Sequence, residues 1–200
     1  MKVICIGRNY SEHAKELNNP VPDEPVFFLK PDTAVLKDNA PFYHPDFSND
    51  IHHEVELVLR VSKAGKHIAE NFAHTYIDAI TVGIDFTARD VQQKCKEKGL
   101  PWEKAKAFDG SAPVGAFVPF NADTDYRFSL EVNAEQRQTG RSSDMLFSFR
   151  SIIAYVSQFV TLKTGDLIFT GTPAGVAKVK IGDKLEARLE ERVLLSFEVL

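Results

Sequence analysis

Glu54 and Glu56 stand two apart in Ile51-His-His-Glu-Val-Glu-Leu-Val-Leu-Arg60, a run that alternates like a β-strand. Side chains two apart on a strand point the same way, so the carboxylates share one face and Val55, Leu57 and Leu59 the other. Downstream, Thr81-Val-Gly-Ile-Asp-Phe86 reads as a second strand delivering Asp85. Carboxylates brought together repel and lose hydration unless a cation neutralises them. An all-oxygen donor set suits Mg²⁺ or Mn²⁺, with Ca²⁺ also admissible, better than zinc. The same two glutamates also fit the wet face of a half-buried strand, and spacing alone does not choose between the readings.

Other residues could join this chemistry. Lys106 lies in Trp102-Glu-Lys-Ala-Lys-Ala-Phe-Asp109, which follows Gly99 and Pro101 without clean periodicity and predicts a loop. A lysine there could stabilise an enolate or hold a substrate carboxylate, or be an ordinary solvated side chain. His13 and Glu16 are three apart on a predicted helix and so can touch. A carboxylate that fixes an imidazole tautomer makes a water-activating base, although an incidental exposed pair has the same spacing. Arg8, beside Gly7, and Arg89 are possible clamps for a small anion, or surface charges. Thr170-Gly-Thr-Pro-Ala-Gly175 follows a strand; its N–H and hydroxyl groups, Thr172 included, could bind a carboxylate or simply form a tight turn. It lacks the lysine and spacing of a phosphate-binding loop.

The elements that position these groups are legible in outline. Residues 2–7 read as a buried strand and residues 9–17 as a helix, with Asn9 or Ser11 as N-cap and Asn18-Asn19-Pro20 as its stop. Six prolines between Pro20 and Pro45 predict extended chain and turns. Phe72, Tyr76 and Ile80 at spacings of four predict an amphipathic helix over residues 69–80. A second helix is predicted over 87–98, closed by Gly99. Residues 128–133 and 136–139 predict a hairpin turning at Ala134-Glu135. An apolar helix over 149–159, a strand over 166–170 and closing strands over 183–190 and 193–199 complete a mixed α+β, predominantly β chain. No linker or repeat divides it, so residues 1–200 are expected to form one domain.

With 200 residues and 22.4 kDa, a sizeable core can form. A net charge of −4, without a basic run, argues against a nucleic-acid partner. No stretch approaches a membrane span or a signal peptide, so no membrane partner and a cytoplasmic location are expected. Cys5 and Cys95 are too few for a disulfide framework.

In order along the chain, several motifs resemble the fumarylacetoacetate hydrolase family. They are Gly7-Arg-Asn-Tyr-x-x-His13-x-x-Glu16, Phe28-Leu-Lys-Pro31, His53-Glu-Val-Glu-Leu57, Asp85-x-Thr-Ala-Arg-Asp-x-Gln92 and Lys106-Ala-Phe-Asp109. Val132-Asn133, Gln136-x-Gln138 and Gly165-Asp-x-Ile-x-Thr-Gly-Thr-Pro-x-Gly-Val176 continue the series. Leu100-Pro-Trp102 and Asp90-Val-Gln-x-x-Cys-Lys-x-Lys-Gly99 are similar to its short acylpyruvase and oxaloacetate decarboxylase branch.

The resemblance implies a rolled, multilayer mixed β-sheet with peripheral helices and a homodimer. It implies metal ligation by Glu54, Glu56 and Asp85, catalytic work by His13, Glu16 and Lys106, and substrate contacts at Arg8, Arg89, Gln92 and Thr172. The implied activity is divalent-metal chemistry on a small 2-oxo acid, with hydrolytic C–C cleavage of an acylpyruvate first. The alternatives are decarboxylation or tautomerisation of oxaloacetate, or isomerisation of a 2-hydroxymuconate-type substrate. A non-catalytic 2-oxo-acid binding protein is the contrasting class. Lys-Ala-Phe-Asp replaces the family's frequent Lys-Ser-Phe-Asp, and Phe86 follows Asp85 where Val or Met is commoner; neither removes a ligand. Separately, Phe108, Phe117, Phe120, Phe147 and Phe149 are expected to leave apolar surface for association.

Overall fold

A computed structural model of the chain describes residues 1–16 and 20–200. The chain begins with β1 (Val3–Gly7), α1 (Ser11–Glu16), β2 (Val26–Lys30) and β3 (Val35–Leu36). Next come β4 (Ile51–His53), β5 (Val55–Val61), β6 (Ile77–Ile84), β7 (Thr87–Ala88), α2 (Arg89–Lys98) and α3 (Glu103–Lys106). Then follow β8 (Ala112–Pro113), β9 (Val118–Pro119), β10 (Arg127–Val132), β11 (Glu135–Arg141) and α4 (Phe149–Phe159). The last strands are β12 (Leu167–Phe169), β13 (Ala177–Lys178), β14 (Lys184–Leu189) and β15 (Arg192–Glu198).

These strands build a multilayer, mixed β structure. A six-stranded sheet runs β2-β1-β12-β5-β6-β9 and a four-stranded one β11-β10-β14-β15, with small sheets β13-β4-β7 and β3-β8 beside them. In the large sheet β1 and β12 are parallel, while β5 pairs antiparallel with both β12 and β6. No described helix is long and apolar enough to cross a membrane.

Central β5 is covered on both faces, as a strand with sheet neighbours on each side and layers above and below must be. Val55, Leu57, Leu59 and Val61 enter the main core, while Val58 enters a second cluster with Val3, Cys5, Leu167 and Phe169. Glu56 shares the Val58 face by the two-residue period. The carboxylates are thus not on a wet face: Glu54 and Glu56 are 5% and 1% exposed.

Several local expectations shift. The helix expected over residues 69–80 is a 3-10 turn over Glu70–Tyr76 followed directly by β6. Its apparent period came from Phe72, Tyr76 and Ile80, yet Phe72 is largely exposed and Ile77, Ile80 and Val82 are fixed by pairing with β5. A β-branched run next to a partner strand overrides a weak helical period. The segment at Lys106 is the one-turn helix α3, not a loop. The hairpin turns at Asn133 and Ala134, both with positive φ of 54° and 63°, one residue earlier than expected.

Asn9 does not cap α1; its side-chain amide donates to Thr170 O and Phe147 O and accepts from Phe147 N. The expected last helical residue, Leu17, and Asn18-Asn19 of the expected stop lie outside the described residues. α2 ends as expected at Gly99, in the left-handed region with φ 61°. α4 covers its expected span, capped by Ser148 Oγ accepting from Ser151 N at 3.2 Å. The five phenylalanines named for association are half-covered and pack on the two cores. Exposed apolar side chains instead include Val26 and Leu29 on β2, the free edge of the large sheet, and Phe159 near them.

Candidate metal and active site

Three carboxylates converge where β4 gives way to β5 and where β6 ends. Asp85 N donates to Glu54 O at 2.8 Å, so the backbone itself ties the two strand ends together. One oxygen each of Glu54, Glu56 and Asp85 lies within 4.8 Å of the others, and all three side chains are buried. Glu56 Oε2 accepts from Gly171 N at 2.6 Å. That residue must be glycine: its φ is 104°, and a Cβ there would lie 2.6 Å from Asn9 Cβ.

Cations surround the cluster. Lys106 Nζ bridges Glu54 Oε2 at 2.9 Å and Asp85 Oδ2 at 2.8 Å. Arg89 pairs with Glu54 Oε1, which also accepts from Thr87 Oγ1. Lys30 Nζ pairs with Asp85 Oδ1 at 2.7 Å and also donates to Ser111 O, Ser111 Oγ and Phe86 O. Asp85 thus meets a lysine at each oxygen, Lys30 at Oδ1 and Lys106 at Oδ2. A buried cluster of three carboxylates, all oxygen donors, fits a hard divalent ion.

The protonation pattern agrees with that fit. Burial raises the Glu56 carboxyl well above its ordinary range, and Asp85 and Glu54 add to the push. Burial also opposes ionisation of Glu54, yet Lys106 and Arg89 outweigh it and hold that carboxyl below its ordinary range. At Lys106 burial favours the neutral amine, and Asp85 and Glu54 overcome it and raise its pKa. Without an ion, one carboxylate of the three remains poorly compensated.

A cavity opens onto this cluster and is lined by nine of the ten residues singled out from sequence: Arg8, His13, Glu54, Glu56, Asp85, Arg89, Gln92, Lys106 and Thr172. The tenth, Glu16, stands behind His13: its Oε2 lies 3.2 Å from His13 Nδ1, and Oε1 accepts from Gly175 N at 3.1 Å. His13 itself is 5% exposed, so the pair is not an incidental surface contact. Gln92 is buried and accepts from Arg89 at 3.0 Å. Arg8 holds a left-handed backbone with φ 58°, an uncommon conformation for a non-glycine residue.

The Thr170–Gly175 stretch is more committed than its sequence indicated. Thr170 Oγ1 donates to Leu57 O and Thr172 Oγ1 to Val55 O, while Gly171 N serves Glu56. Its hydroxyls hold the loop onto β5 rather than standing free for a ligand. Gln138 completes this support: its Oε1 meets His53 Nδ1 and Val55 N, and its Nε2 donates to Thr172 Oγ1 and Pro173 O.

Lys30, Lys96 and Gln138 escaped the residue-level reading. Lys30 ends an ordinary-looking strand, Val-Phe-Phe-Leu-Lys, and its signal was only its place in Phe28-Leu-Lys-Pro31. Lys96 is one of several lysines on α2, and nothing in the spacing marked it.

The profile described as fumarylacetoacetate (FAA) hydrolase C-terminal matches residues 2–199. Oxaloacetate tautomerase FAHD1, mitochondrial, from Mus musculus is 46% identical over 200 residues, covering 98% of this chain and 90% of the relative. Oxaloacetate tautomerase YcgM from Escherichia coli K12 is 45% identical over 188 residues, covering 92% of this chain and 86% of the relative. The crystal structure of fumarylpyruvate hydrolase from Pseudomonas aeruginosa in complex with Mn²⁺ and pyruvate superimposes with a TM-score of 0.94 at 36% identity. That match covers 100% of this chain and 89% of the other.

Proposed function

This chain belongs to the fumarylacetoacetate hydrolase family, and from that premise we propose a divalent-metal enzyme acting on a small dianionic 2-oxo acid, with tautomerisation of oxaloacetate as its activity. The observation that carries the proposal is the convergence of the acidic triad, Lys106 and the His13–Glu16 pair on one cavity. Residues 1–200 act as one catalytic unit.

Glu54, Glu56 and Asp85 would hold Mg²⁺ or Mn²⁺, and a neighbour of the same fold is described with Mn²⁺ and pyruvate. Such an ion supplies Lewis acidity toward the 2-oxo and carboxylate oxygens. The chain's own residues do the rest. Lys106, Arg89, Arg8 and Lys96 give the cavity positive walls that select a dianion over a neutral acid. Lys106 also offsets negative charge that builds on the substrate's carbonyl side. Glu16 accepts the Nδ1 proton of His13 and so leaves Nε2 as the base. For tautomerisation, Nε2 takes the C3 proton of the keto acid and delivers it to the C2 oxygen, and the reverse steps restore the ketone.

A second reading is hydrolytic C–C cleavage of an acylpyruvate. The His13–Glu16 pair serves it equally, because the same oriented imidazole can take a proton from water. There, Nε2 would take a proton from water as the water oxygen adds to the distal carbonyl. The fumarylpyruvate hydrolase likeness supports the same reading.

Enol-oxaloacetate, fumarylpyruvate and acetylpyruvate assayed side by side with Mg²⁺ separate the two. Faster turnover of enol-oxaloacetate supports tautomerisation, and faster cleavage of an acylpyruvate reverses the order. Activity unchanged in excess chelator, or in His13→Ala, would overturn the mechanism. Dimerisation through the exposed β2 edge belongs to the same proposal: Val26, Leu29 and Phe159 are 37%, 41% and 55% exposed there.

A further inference from the structure

α2 presents Arg89, Gln92 and Lys96 to the site cavity at positions i, i+3 and i+7, one face of the helix. The first two are already engaged: Arg89 with Glu54, Gln92 with Arg89. Lys96 is different. It is exposed, its ammonium lies 5.8 Å from the centre of the Trp102 ring, and both side chains line the cavity. Among the described residues no carboxylate pairs with Lys96, nor with Arg8.

Lysines on a surface helix usually find a carboxylate or point into water. This one lies beside an aromatic ring that lines the same cavity. Desolvation first, and then the nearby Arg89, Arg8 and Lys106, lower its pKa. A group kept in that position without a partner is offset when an anion arrives. The inner groups, Lys106 and Arg89, are spent on Glu54 and Asp85, so the outer cations are the ones left for a second negative charge.

We propose that Lys96, with Arg8 of the same cavity lining, receives the distal carboxylate of a dianionic 2-oxo acid and thereby sets the preference for dicarboxylic over monocarboxylic substrates. This rests on the reading of the cavity as a 2-oxo-acid site. The Trp102 ring, 5.8 Å from Nζ, steadies the ammonium through the cation–ring attraction. The charge pair forms at the mouth, where solvent still reaches it, so it governs capture rather than the proton transfer at C3.

The test compares oxaloacetate with its 4-methyl ester, the same 2-oxo skeleton without the distal charge, in the Mg²⁺-loaded protein. Lys96→Met should lower the ratio of kcat/KM for the acid over the ester by about tenfold, the scale of one partly solvated charge-assisted contact. The change should lie in KM, and Lys96→Arg should restore most of the ratio. The KM for the acid should also climb with salt in the parent and flatten in Lys96→Met, which a merely structural lysine would not produce. If neither compound is turned over, the 2-oxo-acid enzyme reading fails, and Lys96 is then judged by binding. Calorimetry with 2-oxoglutarate and 2-oxopentanoate, a pair of equal chain length, should show the acid's advantage falling on Lys96→Met. An unchanged ratio in either comparison, or equal loss for both members of a pair, overturns the assignment.

Discussion

Replacing Lys30 with methionine tests how the buried charges are balanced, and the contacts allow a magnitude. Lys30 is 1% exposed at the end of β2 and lies 2.7 Å from Asp85 Oδ1. Methionine fills nearly the same volume, so cavity formation contributes little. Deleting one partner of a buried ion pair costs about 3–5 kcal/mol. Asp85 keeps Lys106 at 2.8 Å, which places this case at the lower end. The contacts to Ser111 O, Ser111 Oγ and Phe86 O are lost as well, but Ser111 O keeps Phe86 N at 2.9 Å and Ser111 Oγ keeps Lys106 O at 2.9 Å. Those add less than about 1 kcal/mol. With a urea dependence of about 2 kcal/mol per molar, a loss of about 3 kcal/mol moves the midpoint down by about 1.5 M. The measurement is urea unfolding in excess chelator, so that no ion substitutes for the missing charge. Lys30→Met combined with Asp85→Asn should recover part of the loss, because the orphaned charge goes with its partner. A midpoint shift under about 0.5 M, or a strictly additive double variant, would refute the account.

Mn²⁺ at about a hundred times its Kd should stabilise the parent by about 2.7 kcal/mol, read as a rise of about 5–10 °C in Tm. Glu56→Gln should lose that rise while folding normally without metal; a full rise in the variant excludes the triad as the ion's seat. The metal-free protein should lose stability as pH climbs above 4.5, the ordinary value for Glu56. The folded carboxyl binds its proton more tightly than the unfolded one, through burial first and then Asp85 and Glu54, so the window runs from that value upward through the raised one. Glu54, held low, gives its stabilisation above the ordinary range and is nearly flat in this window. Urea midpoints followed across about pH 5–8 in parent and Glu56→Gln decide it: equal slopes would remove Glu56 as the source. Light scattering at micromolar concentration should give twice the chain mass of 22.4 kDa, and the single-chain mass would exclude the dimer.

Much of the site was legible because its determinants are local or ordered along the chain. The two-residue period put Glu54 and Glu56 on one face, the three-residue helical spacing joined His13 to Glu16, and Gly99 marked the end of α2. Motif order placed Lys106, Asp85 and Gln92 in one family pattern, and nine of the ten chosen residues line one cavity. What the chain could not show on its own depends on contacts between distant segments. Whether the carboxylates were wet or buried followed from β12 and β6 flanking β5, with further layers closing both faces. Residues 77–80 became strand rather than helix because β5 was there to pair with them. Lys30 reaches Asp85 across 55 residues of sequence, and Gln138 ties His53 to Pro173; neither spacing has a period to reveal it. The hydroxyls of Thr170 and Thr172, free on paper, were claimed by the backbone of β5. Local geometry is written in the order of the residues, whereas burial, charge balance and which donor is already taken are properties of the packed whole.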